Sequence, residues 1–322
     1  MKTIVVVSDI HYASAAEQAR RGYESRTIPN PLQRALAQTY RSLIWMRDPL
    51  AHNDQLAKFL AAAGEPDLVV ANGDYSADSA FVGVVDEAAC QSARECLGGL
   101  RGRFGARLRA TLGDHELGKM SLLGGVGGLR LASYHRATGE LGLARFWRQE
   151  VGNYVLLGIT SSLVALPVYA PEILPEERPA WEDLRAAHLE EIRRAFAELK
   201  PDQRVLLFSH DPTALPFLAR EEIVGQRLGQ IERTIIGHLH SNLLVWEANL
   251  LAGMPEIGFL GNTFRRYSAA LHRARGWKPF KLLLCPAVSG IQLLKDGGFL
   301  RLELDPEGRL PMRVRVCLLP WG

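Results

Sequence analysis

Cysteine is scarce in this 322-residue chain: Cys90, Cys96, Cys285 and Cys317 are the only four, and none stands in a Cys-x-x-Cys spacing. That pattern argues against a disulfide framework or a zinc ribbon and fits buried thiols in a reducing compartment. Charge of either sign is nearly balanced, at a formal +3, so bulk charge gives no reason to expect nucleic acid as a partner. Long apolar runs are missing too, and nothing approaches the ~18 residues a membrane-spanning helix needs. The N-terminal apolar stretch covers only residues 4–7 before Ser8 and Asp9, shorter than a secretory h-region. The expectation is a cytoplasmic protein. With 47% hydrophobic residues the chain can bury a full core, read here as one domain over 1–322.

Histidine and aspartate are present in a telling arrangement. Asp9-Ile10-His11, Gly73-Asp74, Gly113-Asp114-His115-Glu116, Ser209-His210 and Gly237-His238-Leu239-His240 each follow a short apolar run, at 3–7, 68–71, 108–112, 205–208 and 234–236. Such runs, rich in Val, Ile and Leu, read as buried strands. Their carboxyl ends are where open α/β sheets build sites. Carboxylates and neutral imidazoles together are the ligand set of divalent metals. Singly, Asp74 and Asp114 are equally the residue type of turns and helix caps, and His210 before Asp211-Pro212 that of a turn; the ordered set favours ligands.

Between the strands, apolar spacing predicts helices at 53–63, 86–100 and 181–199, a strand at 153–160, and a hairpin of 299–304 with 312–318 around Asp305-Pro306-Glu307-Gly308. The alternation gives an α/β layered sheet. Two stretches, about 12–52 and 117–152, read as irregular insertions beginning at the site rim. Within the second, the glycine run 124–128 reads as a flexible turn before a phosphate cradle. His52, His135, His188 and His272 lie outside every motif and are expected at the surface or in packing, His188 on the exposed side of its helix.

The order Asp-x-His, Gly-Asp, Gly-Asn-His-Glu, His, Gly-His-x-His resembles the calcineurin-like metallophosphoesterases, matched here by Asp9/His11, Asp74, Asp114/His115/Glu116, His210 and His238/His240. Two departures stand out: Asp114 replaces the family Asn, and the second acid after Gly73-Asp74 is Asp78, one residue late. The resemblance implies a four-layer α-β-β-α sandwich of two mixed sheets flanked by helices. It implies two divalent metal ions, Mn²⁺ first, with Fe, Zn or Mg as the other candidates. Asp9, His11, Asp74 and His240 would hold one, and Asp74, Asp114, His210 and His238 the other, with Asp74 bridging. A bridging hydroxide would attack phosphorus in line. His115 would act in catalysis without binding metal, oriented by Asp78 first or Glu116 second. The third carboxylate, Asp114, would leave one positive charge where the Asn pattern leaves two, tightening cation binding and weakening anion attraction.

The substrate is less constrained. Residues 257–295 contain no acid but seven Lys and Arg, interleaved with aromatics. A phosphorylated small molecule or nucleotide, an anionic membrane or nucleic acid would each suit such a segment, nucleic acid least, with Arg265 and Arg266 as substrate-binding candidates. A solvated helix face is an equal reading. One branch of the family cleaves the pyrophosphate of UDP-2,3-diacylglucosamine at the inner membrane face, and the apolar rim stretches suit that substrate. A cyclic-nucleotide or other phosphodiesterase, a nuclease, and a non-catalytic scaffold of the same fold are the alternatives.

Overall fold

A computed structural model describes residues 1–45, 48–121, 125–259 and 262–321. Its strands are β1 (Lys2–Val7), β2 (Leu68–Ala71), β3 (Leu108–Ala110), β4 (Phe146–Val151), β5 (Tyr154–Ile159), β6 (Arg204–Ser209), β7 (Ile231–Ile236), β8 (Leu282–Leu284), β9 (Gly298–Leu304) and β10 (Arg313–Leu318). They form two mixed five-stranded sheets, ordered β10-β9-β1-β2-β3 and β4-β5-β6-β7-β8. In the first, β1, β2 and β3 are parallel and the β9–β10 hairpin is antiparallel. In the second, only the β4–β5 pair is antiparallel.

Alternation along each strand explains why the runs are apolar throughout. Ile4, Val6, Leu68 and Val70 of the first sheet meet Leu156, Leu206, Phe208 and Ile235 of the second in a core between the sheets. Their neighbours Val5, Val7, Val69 and Ala71 face the opposite way, into a core shared with Leu97, Leu100 and Phe104 of the Glu87–Phe104 helix. On the second sheet, Val155, Leu157, Val205 and Leu207 join Leu189, Ile192 and Phe196 of the Arg178–Ala197 helix. Both faces of the central strands are therefore buried, in the expected four-layer sandwich, while β3 and β10 at the edges of the first sheet stay partly or largely exposed. Each buried aliphatic side chain contributes about 1.5–3 kcal/mol.

One close approach in that core is testable. Trp147 on β4 lies opposite Gly158 on β5, its ring 5.5 Å from Phe208 and its Nε1 donating to Thr111 Oγ1 at 3.3 Å. A Cβ at Gly158 would come within 2.0 Å of the Trp147 ring. Gly158→Ala should lower unfolding free energy by about 1–3 kcal/mol, as overpacking does. Urea denaturation with an unchanged midpoint would contradict this packing.

Several expectations change. The 12–52 stretch contains a helix, Pro31–Leu43, opened by Asn30 capping the Leu32 and Gln33 amides. The 117–152 stretch contains the helix Leu131–Gly139 and all of β4. In the glycine run, 124 lies outside the described residues, and the Gly128 amide is spent on the Phe81 carbonyl at 2.9 Å. His188 is buried, with the Thr160 amide donating to its Nε2 at 3.1 Å and Glu191 3.4 Å from Nδ1. Among the described residues no helix is long and apolar enough to cross a membrane.

Candidate metal centre

Both sheets deliver their carboxyl ends to one place. Asp9 and His11 follow β1, Asp74 follows β2, and Asp114 and His115 follow β3; His210 follows β6, and His238 and His240 follow β7. The first sheet thus brings every carboxylate of the cluster, and the second brings three imidazoles. The chain turns sharply at each point: Asp9, His11, Asp74, His238 and His240 have φ of 53°, 48°, 59°, 59° and 59°. Left-handed backbone at non-glycine residues costs about 1–3 kcal/mol each and persists only where surrounding contacts impose it. Here the Asp9 and His11 amides donate to the Gly73 and Asp74 carbonyls at 3.2 and 3.0 Å, and the Gly237 amide to the His210 carbonyl at 3.0 Å.

The side chains converge in overlapping groups: Asp74, Asp114, His210 and His238 in the first, Asp9, His11 and His240 in the second, and His11, Asp74 and His115 in a third. In the first, His210 Nε2 lies 3.1 Å from Asp74 Oδ2 and 3.2 Å from Asp114 Oδ1, and His238 Nδ1 lies 3.0 Å from Asp114 Oδ1. In the second, His240 Nε2 lies 3.2 Å and His11 Nε2 3.9 Å from Asp9 Oδ1. Asp74 joins them, because its Oδ2 is also 3.9 Å from His11 Nε2.

Orientation and electrostatics fit a cation at each group. The Asn72 carbonyl lies 2.6 Å from His210 Nδ1 and the Ser76 carbonyl 3.3 Å from His11 Nδ1; a proton on each Nδ1 leaves the Nε2 lone pairs facing the carboxylates. Among the described residues His11 Nε2, Asp74 Oδ2 and His210 Nε2 are buried without a hydrogen-bond partner. Each such atom costs about 1–3 kcal/mol unless something satisfies it. A divalent ion at each group, with Asp74 shared, would satisfy all three. Burial, and for Asp74 the charge of Asp114, oppose ionisation of the three aspartates, but the surrounding imidazoles, with Lys119 at Asp114, outweigh this and hold them below the usual carboxylate range. His11 is pushed down to about 3, by burial first and His115 second. Burial also opposes protonation of His210, yet Asp74, Asp9 and Asp114 together hold it well above the imidazole range.

Comparison with known proteins identifies the arrangement. A family model for calcineurin-like phosphoesterase matches residues 2–242. The chain belongs to that family. It is a metallophosphoesterase-type hydrolase with a dinuclear divalent metal centre. Among solved structures, a dimetal phosphatase from Danio rerio aligns over 100% of this chain and 99% of its own at 13% identity, with a TM-score of 0.50. A phosphopantetheinyl hydrolase from Mycobacterium tuberculosis covers 74% of this chain and 83% of its own at 16% identity and TM-score 0.37. A purple acid phosphatase from yellow lupin covers 74% of this chain and 38% of its own at 12% identity and TM-score 0.36. A search of curated protein sequences finds no significant match.

Around the phosphoesterase centre the remaining candidates separate. His115 Nδ1 faces the backbone carbonyl of Ala77 at 3.1 Å, so neither Asp78 nor Glu116 is its orienting partner. Asp78 instead accepts from the Gly83 amide at 2.9 Å, and burial, then the charge of Glu17, raises its pKa well above the carboxylate range. A carboxyl whose ionisation burial opposes in this way is a poorer anionic partner for an imidazole. Glu116 takes the Asp74, Tyr75 and Gly113 amides at 3.1, 2.8 and 2.9 Å and so shapes the loops that carry the aspartates. Arg266 lines the cavity over the centre with Tyr40, Trp45, Phe81, His115 and Lys119, whereas Arg265 is not among its lining residues. Composition and spacing gave no sign of Lys119, whose Nζ lies 3.0 Å from Asp114 Oδ2, nor of Trp45, stacked on His240 at 6.0 Å.

Proposed function

We propose that Asp9, His11 and His240 hold one divalent cation, that Asp114, His210 and His238 hold a second, and that Asp74 bridges them in a single domain hydrolysing a phosphoester or phosphoanhydride bond. Asp74 Oδ2, 3.1 Å from His210 in one group and 3.9 Å from His11 in the other, carries this reading. The Danio rerio neighbour, named a dimetal phosphatase, is in keeping with it. Two bound cations supply Lewis acidity and lower the pKa of water. The chain's own part is to place His115: with Nδ1–H held by Ala77, Nε2 is left toward the cavity, 3.8 Å from Asp74 Oδ2, to protonate a leaving oxygen.

The substrate we favour is amphiphilic, met at an anionic membrane surface, of which the pyrophosphate bond of UDP-2,3-diacylglucosamine is one example. The rim supports this through exposed Leu32, Leu36 and Leu43 on one helix and Leu243, Trp246 and Leu250 on another. Both helices lie beside the site: Trp45, just after the first, lines the cavity, and Glu247 of the second accepts at 3.2 Å from Tyr267, on the helix that carries the cavity residue Arg266. The arginines of the basic segment contribute less than their number suggests. Arg266 is paired with Glu172 at 3.0 Å, Arg273 with Glu256 at 2.6 Å, and Arg275 bonds the Ala252 carbonyl at 3.2 Å. A double substitution, Leu36→Glu with Trp246→Glu, should therefore weaken binding to anionic vesicles about tenfold or more, while hydrolysis of a small aryl phosphodiester stays within about twofold. Unchanged vesicle binding would remove the membrane from the proposal. The stacked pair Tyr40 and Trp45, 5.7 Å apart, favours a nucleobase as a second reading, a cyclic nucleotide included. Mn²⁺-dependent assays on nucleotide sugars, cyclic nucleotides, nucleic acids and phosphomonoesters separate these, and a protein binding no metal would be the scaffold alternative.

A further inference from the structure

We propose that Lys119 both offsets the extra charge of Asp114 and binds a phosphoryl oxygen of the substrate, a role that rests on the dinuclear reading above. The placement begins in the chain. The Asp114–Leu117 turn of helix ends at Gly118, whose amide returns to the Asp114 carbonyl at 3.0 Å. Gly118 has φ of 103°, and a Cβ there would lie 2.3 Å from the Gly128 carbonyl oxygen, so only glycine makes this reversal. The reversal brings Lys119 back over the residue that opened the turn, with Nζ 3.0 Å from Asp114 Oδ2 and the side chain 26% exposed, at the cavity wall.

Among the described residues three side-chain cations line that cavity, Arg41, Lys119 and Arg266, and each has a carboxylate. Arg41 pairs with Glu24 and Arg266 with Glu172; neither acid belongs to the ligand groups, so those charges cancel locally. Asp114 differs, because its other oxygen faces His210 and His238 at 3.2 and 3.0 Å, within a ligand group. Its charge is committed to the cation there, which leaves the charge of Lys119 available. An ammonium has three donors, and a single ion pair with Asp114 at the cavity wall leaves donors for a ligand in the cavity. Two divalent ions against three carboxylates leave one positive charge, and Lys119 restores the second that an Asn at 114 would leave. The Asp and the Lys together thus replace a neutral amide without loss of attraction for an anionic substrate.

The experiment compares Lys119→Met, Asp114→Asn and the double variant with wild type, reading metal by elemental analysis and Mn²⁺ titration, and anion binding by inorganic phosphate as a competitive inhibitor. Lys119→Met should keep both metals, at least as tightly bound, because a cation beside Asp114 is gone. Phosphate should bind about tenfold or more weakly, with a similar fall in kcat/KM for an aryl phosphodiester, the size of a charge-assisted hydrogen bond. Asp114→Asn should do the reverse, needing more Mn²⁺ for half-saturation while binding phosphate as well or better. The double variant should recover part of the phosphate affinity that Lys119→Met loses. Metal loss in Lys119→Met, or phosphate affinity unchanged by it, would overturn the proposal. Should Lys119→Met fail to fold, Asp114→Asn decides alone: unchanged Mn²⁺ half-saturation sinks the charge pairing. Failure of the dinuclear reading itself is visible first, as wild type that binds no metal.

Discussion

Asp74→Ala should strip both metals from the protein and take turnover down with them. Asp74 is fully buried, and its Oδ2 faces His210 at 3.1 Å and His11 and His115 at 3.9 and 3.8 Å. Asp9 also reaches across, its Oδ1 3.9 Å from His210 Nε2, but Asp74 approaches the opposite group more closely, at 3.1 Å. Loss of a single transition-state donor costs about 10²–10³ in kcat; loss of the bridge should exceed that, because it removes both cations. Elemental analysis beside phosphodiester hydrolysis checks it. If Asp74→Ala kept metal and near-normal turnover, the centre would not be organised around Asp74.

His115→Ala should give the second largest loss, with a different signature. Its Nδ1 is held by the Ala77 carbonyl and it stands at the cavity wall, so the metals should stay while kcat falls about 10²–10⁴-fold, as for a positioned general acid. Its pKa is lowered, by burial first, against the raising charge of Asp74. An acid must be protonated to act, so its contribution fades as pH rises through that lowered pKa. The descending limb of the wild-type kcat profile should therefore disappear in His115→Ala. Metal lost in proportion to activity would make His115 a ligand instead.

How much of this was legible in the sequence depended on whether the deciding contact involves side chains in a spaced pattern. The five clusters of the site could be read because they follow short runs that are mostly apolar, most clearly where both faces of the strand are buried, as at Val5/Val6 and Leu206/Leu207. The Pro31–Leu43 helix was hidden because its apolar residues Leu32, Leu36 and Leu43 face outward, although Asn30 and Pro31 are a recognisable start. His188 was misplaced by residue type: it stands four residues from both Leu184 and Ile192, on the stripe that faces the core, and the Thr160 amide makes its burial tolerable. The partner of His115 was beyond sequence reasoning, since the Ala77 carbonyl belongs to the backbone and any residue there would offer the same oxygen. Lys119 was missed for a related reason, because its approach to Asp114 depends on the reversal at Gly118.

That the carboxylates come from one sheet and three of the imidazoles from the other has a mechanical consequence. On the proposed assignment each cation, once bound, would act as a rivet between two layers that otherwise meet through apolar contacts such as those of Ile4, Val6, Leu206 and Phe208 and through a few hydrogen bonds, the Ser8–Ala287 bridge among them. Aliphatic contacts resist separation but tolerate small sliding movements, whereas coordination bonds fix distance and direction. Metal uptake should therefore fix the registration of one layer against the other and, by mass action, draw the folded population up with the free metal concentration. The residues that would hold the ions for chemistry would also let them fasten the two halves of the cradle together.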